Sequence, residues 1–200
     1  MGTNILQQNA RAFQKAIAEE DWGAALRLAL VLEKALPDNA AIAYNKGLVL
    51  RRLGRSGDAA RAFGQALALE PGHVNALFEQ ASCALETGDA DGAAEGFARY
   101  LRAVPGDVHA QLNLGNALVR LGRADEALGP LRIARERLAS AEAIAALAIG
   151  LREAGDLEGC AAALADLGPG AENAALRLKI MTQGARGRLA LRPAHPRVAR

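Results

Sequence analysis

Apolar residues recur every three or four positions in blocks along the chain, and glycine or proline closes each block. Residues 41–53 have this helical periodicity and end at Gly54, which can close a helix in the left-handed conformation without a Cβ clash. Asp58 then begins a second predicted helix over residues 59–69, with its carboxylate near the free N–H groups of the first turn. Pro71 ends that helix because proline lacks the N–H and disfavours helix in the preceding residue. The pattern predicts two helices joined by a tight turn.

The predicted helix pair repeats with a period of 34 residues. Several independent series share this step: Pro37, Pro71 and Pro105; Gly54, Gly88 and Gly122; Ala25, Ala59, Ala93 and Ala127; and Phe63, Phe97 and Leu131. Chance could supply one such series, but several with a common step indicate a structural repeat. A single helix pair leaves one apolar face bare, so we expect successive pairs to stack.

Small residues are placed where the two helices of each pair should cross. The middle of the first helices holds Gly47, Ala81, Gly115 and Ala148, and the early part of the second helices holds Ala59, Ala93, Ala127 and Cys160. Small side chains on both partners allow the helices to approach closely. We expect larger side chains to fill the space between successive units, namely Phe63, Phe97, Leu131 and Leu164.

These positions resemble the tetratricopeptide repeat family. The matching small, aromatic and proline sites are Gly47, Ala59, Phe63, Ala66 and Pro71 in one unit, Ala81, Ala93, Phe97 and Pro105 in the next, and Gly115, Ala127 and Ala134 in the one after. The resemblance implies an all-α fold, a right-handed α-solenoid of about five helix-turn-helix repeats with a C-terminal capping helix. We expect repeats at residues 6–39, 40–73, 74–107, 108–140 and 141–170, a cap helix at 171–182 that completes a domain over residues 1–183, and a flexible basic tail at 184–200.

Four residues depart from the family pattern. Phe13 and Tyr100 stand where the family prefers small residues, and Ala139 replaces the closing proline. Because of Phe13, the helix crossing of the first unit is expected to differ. Pro130 falls inside a second helix, where we expect a local irregularity.

The family places its ligands on the concave side of the stacked units, which the first helices line. Helical phase assigns a set of residues to that groove: Tyr44, Asn45, Leu48, Arg51, Arg52, Phe78, Ser82, Leu85, Leu112, Asn116, Val119, Arg120, Ile149 and Arg152. Tyr44, Phe78 and Leu112 are again 34 apart and are expected to form an apolar ladder. Arg51, Arg120 and Arg152 are expected at one edge of the groove. The set suits an extended or helical peptide with apolar anchors and an acidic group; the alternative is that these residues pack helices or face water without a ligand.

Composition and charge narrow the function classes. Hydrophobic residues make up 51% of the 200-residue chain, which excludes wholesale disorder, and aromatic residues only 4%, which argues against a β-sandwich. Residues 173–200 hold seven basic and no acidic residues, whereas residues 1–172 hold 17 basic and 22 acidic residues. The basic tail lacks aromatic residues for base stacking, so neither nucleic acid nor a membrane is expected as its partner.

No combination of residues predicts catalysis, and we expect a protein that is not an enzyme and has no metal, cofactor or small-molecule substrate. His73, His109 and His195 are scattered without carboxylates or cysteines at ligand spacing. Cys83 and Cys160 lie in apolar helical stretches and are expected to be buried, which favours a reducing compartment. With no signal-peptide pattern and no transmembrane stretch, the expected location is the cytoplasm. The Arg-rich and Ala-rich composition favours a bacterial source.

The leading hypothesis is therefore a protein–protein interaction scaffold or adaptor, which holds a peptide or helix with apolar anchors in its concave groove. One alternative is an accessory or regulatory repeat module of an enzyme, of the transferase type. Another is self-assembly into homo-oligomers, with the groove of one copy holding the tail of the next through Leu189 and Leu191.

Overall fold

The computed structural model describes residues 2–184 and 187–188. Within them the chain forms the helices α1 (Gly2–Ala18), α2 (Trp22–Ala35), α3 (Ala40–Arg52), α4 (Ser56–Leu69), α5 (Val74–Thr87), α6 (Ala90–Ala103), α7 (Val108–Arg120), α8 (Ala124–Leu138), α9 (Ala141–Glu153), α10 (Leu157–Ala165) and α11 (Ala171–Thr182). Two two-residue strands follow, β1 (Gln183–Gly184) and β2 (Gly187–Arg188), paired antiparallel. Most of the expected tail at residues 184–200 lies outside the described residues.

The helices stack in a single row. Each helix from α1 to α9 packs against the next one along the chain, and α11 packs back against α9. The helices α5 and α7 also touch each other, as do α7 and α9. The predicted all-α repeat fold is thus confirmed, with α1, α3, α5, α7 and α9 as the first helices of the five units and α2, α4, α6, α8 and α10 as the second helices.

Local sequence sets the boundaries of the helices. Side chains at the N-caps of seven helices accept a hydrogen bond from a backbone N–H of the first turn: Asp21, Asn39, His73, Asp89, Asp107, Ser140 and Asp156. The turns inside the units have positive φ at Gly54, Gly88, Gly122 and Gly155, where glycine avoids the Cβ clash. Glu20 takes this place in the first unit, with φ 55°. The α4 helix begins at Ser56, two residues before the predicted Asp58.

The crossing inside each unit pairs a small residue with a large one. A Cβ built on Gly47 would lie 2.6 Å from Cε1 of Phe63, so the aromatic ring occupies the space that any larger residue would need. Leu131 covers Gly115 in the same way. The side chains of Phe63 and Leu131 are 0% exposed. The close helix contact therefore depends on glycine at 47 and 115.

The first unit reverses this arrangement. Phe13 stands on α1 at the position of Gly47, and Ala29 stands on α2 at the position of Phe63, in each case 34 residues earlier. Both residues are buried in the same apolar cluster. The large side chain has thus moved from the second helix to the first, which explains how this unit accommodates Phe13.

Two further departures, Pro130 and Tyr100, are accommodated locally. The α8 helix continues through Pro130 as one element from Ala124 to Leu138, so the proline does not end it. The Tyr100 side chain is buried, and its hydroxyl donates a hydrogen bond to Oδ2 of Asp107 at 2.7 Å. Asp107 in turn accepts hydrogen bonds from the backbone N–H groups of His109 and Ala110 at the start of α7. Tyr100 therefore links the third unit to the N-cap of the fourth.

Burial and the hydrogen bond to Asp107 raise the pKa of Tyr100 to about 12. Burial alone would raise the pKa of Asp107 as well. The hydrogen bonds from the Tyr100 hydroxyl and from the backbone N–H groups of Ala110 and His109 outweigh it, and the pKa of the carboxyl lies below its usual value.

Gly47→Ala is expected to destabilise the fold by about 1–3 kcal/mol, because the new methyl group overlaps the Phe63 ring. The matched control is Gly57→Ala in α4, where no heavy atom lies within 4 Å of the added Cβ. That change should leave stability equal or raise it by less than about 1 kcal/mol, since alanine favours helix over glycine. Urea unfolding followed by circular dichroism measures both, and equal effects of the two substitutions would contradict the packing argument.

Asp107→Ala is expected to cost about 1–3 kcal/mol, since it removes the cap of α7 and the acceptor of the Tyr100 hydroxyl. Asp107→Asn keeps a neutral acceptor and tests the charge alone. Because folding lowers the pKa of Asp107, its charge stabilises the fold above its unfolded pKa of about 3.9, and that contribution is lost as the pH falls through the folded pKa.

The stability difference between wild type and Asp107→Asn should therefore shrink between about pH 7 and pH 3 in urea unfolding series. A difference that stays constant over this range would mean that the carboxylate charge does not contribute.

Candidate interaction groove on the first helices

The structure separates the predicted groove residues into two groups. Those that remain half-buried or exposed on the first helices are Tyr44, Asn45, Leu48, Arg51, Arg52, Phe78, Leu85, Asn116, Arg120 and Ile149. Those that are buried are Ser82, Leu112, Val119 and Arg152. The four residues of the second group have no free surface for a ligand, so the prediction that they line an open groove is wrong.

The apolar ladder expected from Tyr44, Phe78 and Leu112 stops at Phe78. Leu112 is 3% exposed and belongs to the largest apolar core. The helix α7 packs against α5 and α9 as well as against α6 and α8, so Leu112 and Val119 are covered on several sides. Ser82 is turned toward its own helix, where its hydroxyl donates to the Phe78 carbonyl at 2.9 Å.

Arg51 and Arg120, which were expected at one edge of the groove, form hydrogen bonds between neighbouring units. Arg51 on α3 donates to Glu79 and, at 2.6 Å from Nη2 to Oε1, to Glu86, both on α5. Arg120 on α7 donates to the Leu85 carbonyl at 2.8 Å. Each holds the first helix of one unit to a neighbouring first helix, and their role as a ligand-binding edge stays a prediction.

Arg152 makes a comparable connection at the C-terminal end. Its side chain is 8% exposed, and Nη1 donates to the Ile180 carbonyl in α11. Glu153 accepts from the other guanidinium nitrogens at 2.6 Å and 3.0 Å, which compensates the buried positive charge. The capping helix α11 is thus attached to α9 through Arg152, a residue that the helical periodicity of the sequence places in the groove.

Glu86 is one of the two carboxyl groups that pair with Arg51 in the groove. Burial alone would raise the pKa of this carboxyl, but hydrogen bonds from the Ser56 hydroxyl and from Arg51 lower it below its usual value. Glu86 is therefore ionised at neutral pH and neutralises Arg51. Because one guanidinium faces the two carboxyl groups of Glu79 and Glu86, the groove between α3 and α5 has no surplus of positive charge at this edge.

The half-exposed aromatic side chains are held rigidly. The Tyr44 ring lies 4.7 Å from the His73 ring and 5.7 Å from the Phe63 ring, measured between centroids. Phe78 packs edge-on against Phe97 and Tyr100, at 5.6 Å and 5.2 Å. Burial, and then the charge of Glu79, raise the pKa of Tyr44, so its hydroxyl stays neutral. Each ring thus offers one fixed face to the groove.

Arg52 is an exposed cation at the N-terminal end of this surface. Its guanidinium carbon lies 5.7 Å from the centre of the Trp22 ring, a cation–π contact between α3 and α2. Trp22 is half-buried, and its ring supports this arginine.

Sequence reasoning missed a cavity at the N-terminal end of the groove. It has a volume of about 510 Å³ and lies between α1, α2 and α3. Its lining consists of Leu6, Gln7, Ala10, Phe13, Gln14, Ile17, Ala29, Leu32, Leu36, Ile42 and Asn45. We call it the N-terminal cleft. The signal that could have found it is Ala29, since later units carry Phe63, Phe97 and Leu131 at this place.

Neither metal chemistry nor thiol chemistry is apparent in the described part of the chain. There, no three side chains among His, Cys, Asp and Glu are grouped so that they could hold a metal ion. Cys83 and Cys160 are buried and unpaired by disulfides. Burial raises the pKa of the Cys83 thiol to about 11, so it is protonated and unreactive at neutral pH. Among the described helices, none has the length and apolar character needed to cross a membrane.

Solved structures share this arrangement of helices. A MamA protein structure is 17% identical, with a TM-score of 0.75, over 96% of this chain and 100% of that one. MamA 41-end from Desulfovibrio magneticus RS-1 is 17% identical, with a TM-score of 0.74, over 88% and 94%. YrrB, described as a TPR protein with an unusual peptide-binding site, is 16% identical, with a TM-score of 0.77, over 84% and 88%. These identities show a common fold and nothing further.

Among curated protein sequences, no match is found. The family model for the tetratricopeptide repeat matches residues 44–108 and 93–143, which together span half of the chain. Its matches coincide with the units in which the small residue, the large residue and the turn glycine all recur. The chain belongs to the tetratricopeptide repeat family.

Proposed function

We propose that this protein is a non-enzymatic scaffold that binds a segment of another protein along the first helices of its middle units. The observation that carries the proposal is the row of half-exposed aromatic and aliphatic side chains on α3 and α5: Tyr44, Leu48, Phe78 and Leu85. Aligned apolar side chains that remain open to solvent are typical of interaction surfaces.

The rigidity of this row supports a role in recognition. Tyr44 and Phe78 are each supported from behind by aromatic rings of the core, so little side-chain entropy is lost when a ligand covers them. Asn45 and Asn116, which are half-buried, add groups that can both donate and accept hydrogen bonds. Rigid apolar anchors with neutral amides between them suit a peptide segment. One of the similar structures, YrrB, is described as having a peptide-binding site.

The charges along the groove indicate which properties of the ligand matter most for binding. Arg51 is neutralised by Glu79 and Glu86, and Arg152 is buried against α11. An acidic group on the ligand is therefore a minor determinant, and apolar anchors supply most of the affinity. An accessory module of an enzyme would use the same surface. The identity of the captured protein, catalytic or not, distinguishes that role from a general adaptor.

Leu85→Glu and, separately, Leu48→Glu are expected to reduce partner capture at least about tenfold, because a carboxylate in an apolar contact loses hydration without gaining a partner. The matched control is Ile133→Glu on α8, which places the same charge at a residue that is 42% exposed on a second helix. Affinity capture after cross-linking in the source cells, read by mass spectrometry, compares the variants, and circular dichroism verifies their helicity.

The proposal requires that one protein be retained by wild type and by Ile133→Glu but lost from both leucine variants. If both leucine variants retain it while Ile133→Glu does not, the binding surface lies on the second helices and the proposal is wrong.

A further inference from the structure

The N-terminal cleft is a direct consequence of the exchange of bulk in the first unit. In the second unit the Phe63 ring fills the space between α3 and α4, with 0% exposure. Ala29 occupies the equivalent place on α2, and Phe13 on α1 fills only part of the volume that an aromatic ring at 29 would take. The result is an open cavity of about 510 Å³ at the N-terminal end of the row. Clefts of about 480 Å³ and 490 Å³ lie between later helices, but their linings contain charged side chains, whereas the lining of the N-terminal cleft contains none.

The lining of the cleft selects for an uncharged apolar ligand. None of its eleven residues is titratable. Eight are apolar, and the other three are the carboxamides Gln7, Gln14 and Asn45. A charged group would lose its hydration there without gaining a counter-ion. Carboxamides donate and accept hydrogen bonds at once, which matches the two groups of a peptide bond. The chemistry therefore fits apolar side chains presented on a peptide backbone.

We propose that the N-terminal cleft binds residues 188–192 of a second copy of this chain, with Leu189 and Leu191 as the two anchors. Most of these residues lie outside the described part of the chain, and their contribution to the proposal is their sequence, Arg-Leu-Ala-Leu-Arg. The two leucines alternate with Ala190, so a segment bound in an extended form presents both to the same side.

Charge complementarity favours this occupant. Residues 173–200 carry seven basic residues and no acidic one, whereas residues 1–172 carry 22 acidic and 17 basic residues. Exposed acids and bases both lie close to the cleft in sequence, Glu20 and Asp38 on one side of the balance and Arg11 and Lys15 on the other, so the attraction comes from the net negative charge of residues 1–172 as a whole. With Leu189 and Leu191 in the uncharged cavity, Arg188 and Arg192 stay at its rim, where the acidic body attracts them.

The length of the chain excludes its own cleft as the acceptor. The strand β1 packs beside α9, and the six residues from Gln183 to Leu189 span at most about 21 Å when fully extended. The pairing of β1 with β2 turns the chain back and shortens this reach. Three steps between first helices, each about 8–10 Å, separate α9 from α3 at the cleft, or roughly 24–30 Å. The occupant must come from another molecule.

This contact is heterologous, since the tail of one copy meets a different surface on the next. Each molecule then has one cleft and one tail, and the copies form a ring or an open row. The assembly uses neither Leu48 nor Leu85, so the proposed partner surface in the middle units remains free for another protein.

Two full-length variants test the contact from both sides. Ala29→Phe fills the cleft, and Leu189→Ser/Leu191→Ser removes the anchors while all charges remain. In light scattering after size exclusion, the mass of the wild type should rise with concentration above the 20.8 kDa of one chain, and each variant alone should stay at that mass. An equimolar mixture of the two should form heterodimers and nothing larger, because it combines one intact cleft with one intact tail.

Two further variants distinguish loss of the proposed contact from loss of folding and from loss of the proposed partner surface. Phe13→Ala/Ala29→Phe recreates the pair found at Ala81 and Phe97, so it should keep wild-type helicity and still be monomeric. Leu85→Glu should assemble like wild type, which separates a failure of this proposal from a failure of the proposed partner surface.

A wild type that is monomeric at every concentration would overturn the proposal, as would an Ala29→Phe chain that assembles like wild type. Assembly that is lost in Arg188→Gln/Arg192→Gln but retained in the leucine variant would also overturn it, since the contact would then be ionic and outside the cleft.

Discussion

The close approach of two helices within each unit is the contact on which the rest of the structure depends. It pairs a small residue on one helix with a large side chain on the other. The small residue is on the first helix in the pairs Gly47 and Phe63 or Gly115 and Leu131, and on the second helix in the first unit, where Ala29 pairs with Phe13. The large side chain also reaches the next unit, so one contact closes the pair and supports the stacking of its neighbour. Because protein interiors are densely packed, this complementarity fixes the angle and the spacing of the units together. The alignment of the first helices, and thus the groove, follows from it.

Much of the fold could be predicted from the sequence because its determinants are local and recur. The turn glycines, the prolines after the second helices and the small residues at the crossings all repeat at one step. The glycines and prolines act within a few residues of their place in the chain, and the small residues act 16 positions away, inside the same helix pair. The predicted groove was less accurate. Helical phase gives the face of a helix on which Leu112 or Arg152 lies, but it does not tell whether another element covers that face. The contacts of α7 with α5 and α9, and the position of α11 against α9, are tertiary and bury these residues.

Pairs of residues carry information that single positions lack. Phe13 viewed alone is a departure from the repeat pattern and suggests a disturbed crossing. Viewed with Ala29, 16 positions later, it is one half of an exchange that keeps the total bulk of the unit similar but changes its distribution. Volume-conserving changes of this kind are tolerated in cores when the surroundings adjust. Here the adjustment is incomplete, and the unfilled volume is the N-terminal cleft. Comparing the units two positions at a time would have located it from the sequence.

Every junction between successive units contains a long basic side chain with an acceptor in the neighbouring unit. Lys46 donates to Glu33 at 2.5 Å across the first junction, and the later ones hold Arg51 with Glu79 and Glu86, Arg120 with the Leu85 carbonyl, Arg135 with Asp166, and Arg152 with the Ile180 carbonyl of the cap. In repeat proteins the interfaces between neighbours determine whether units fold together. The apolar packing sets the angle and the spacing of the units, and a hydrogen-bonded charge adds a directional contact at each junction. Together they fix the register of the row, so the apolar anchors of distant units keep a constant spacing before any ligand binds. A surface prepared in this way loses little entropy on binding, which is the physical advantage of a scaffold built from repeats.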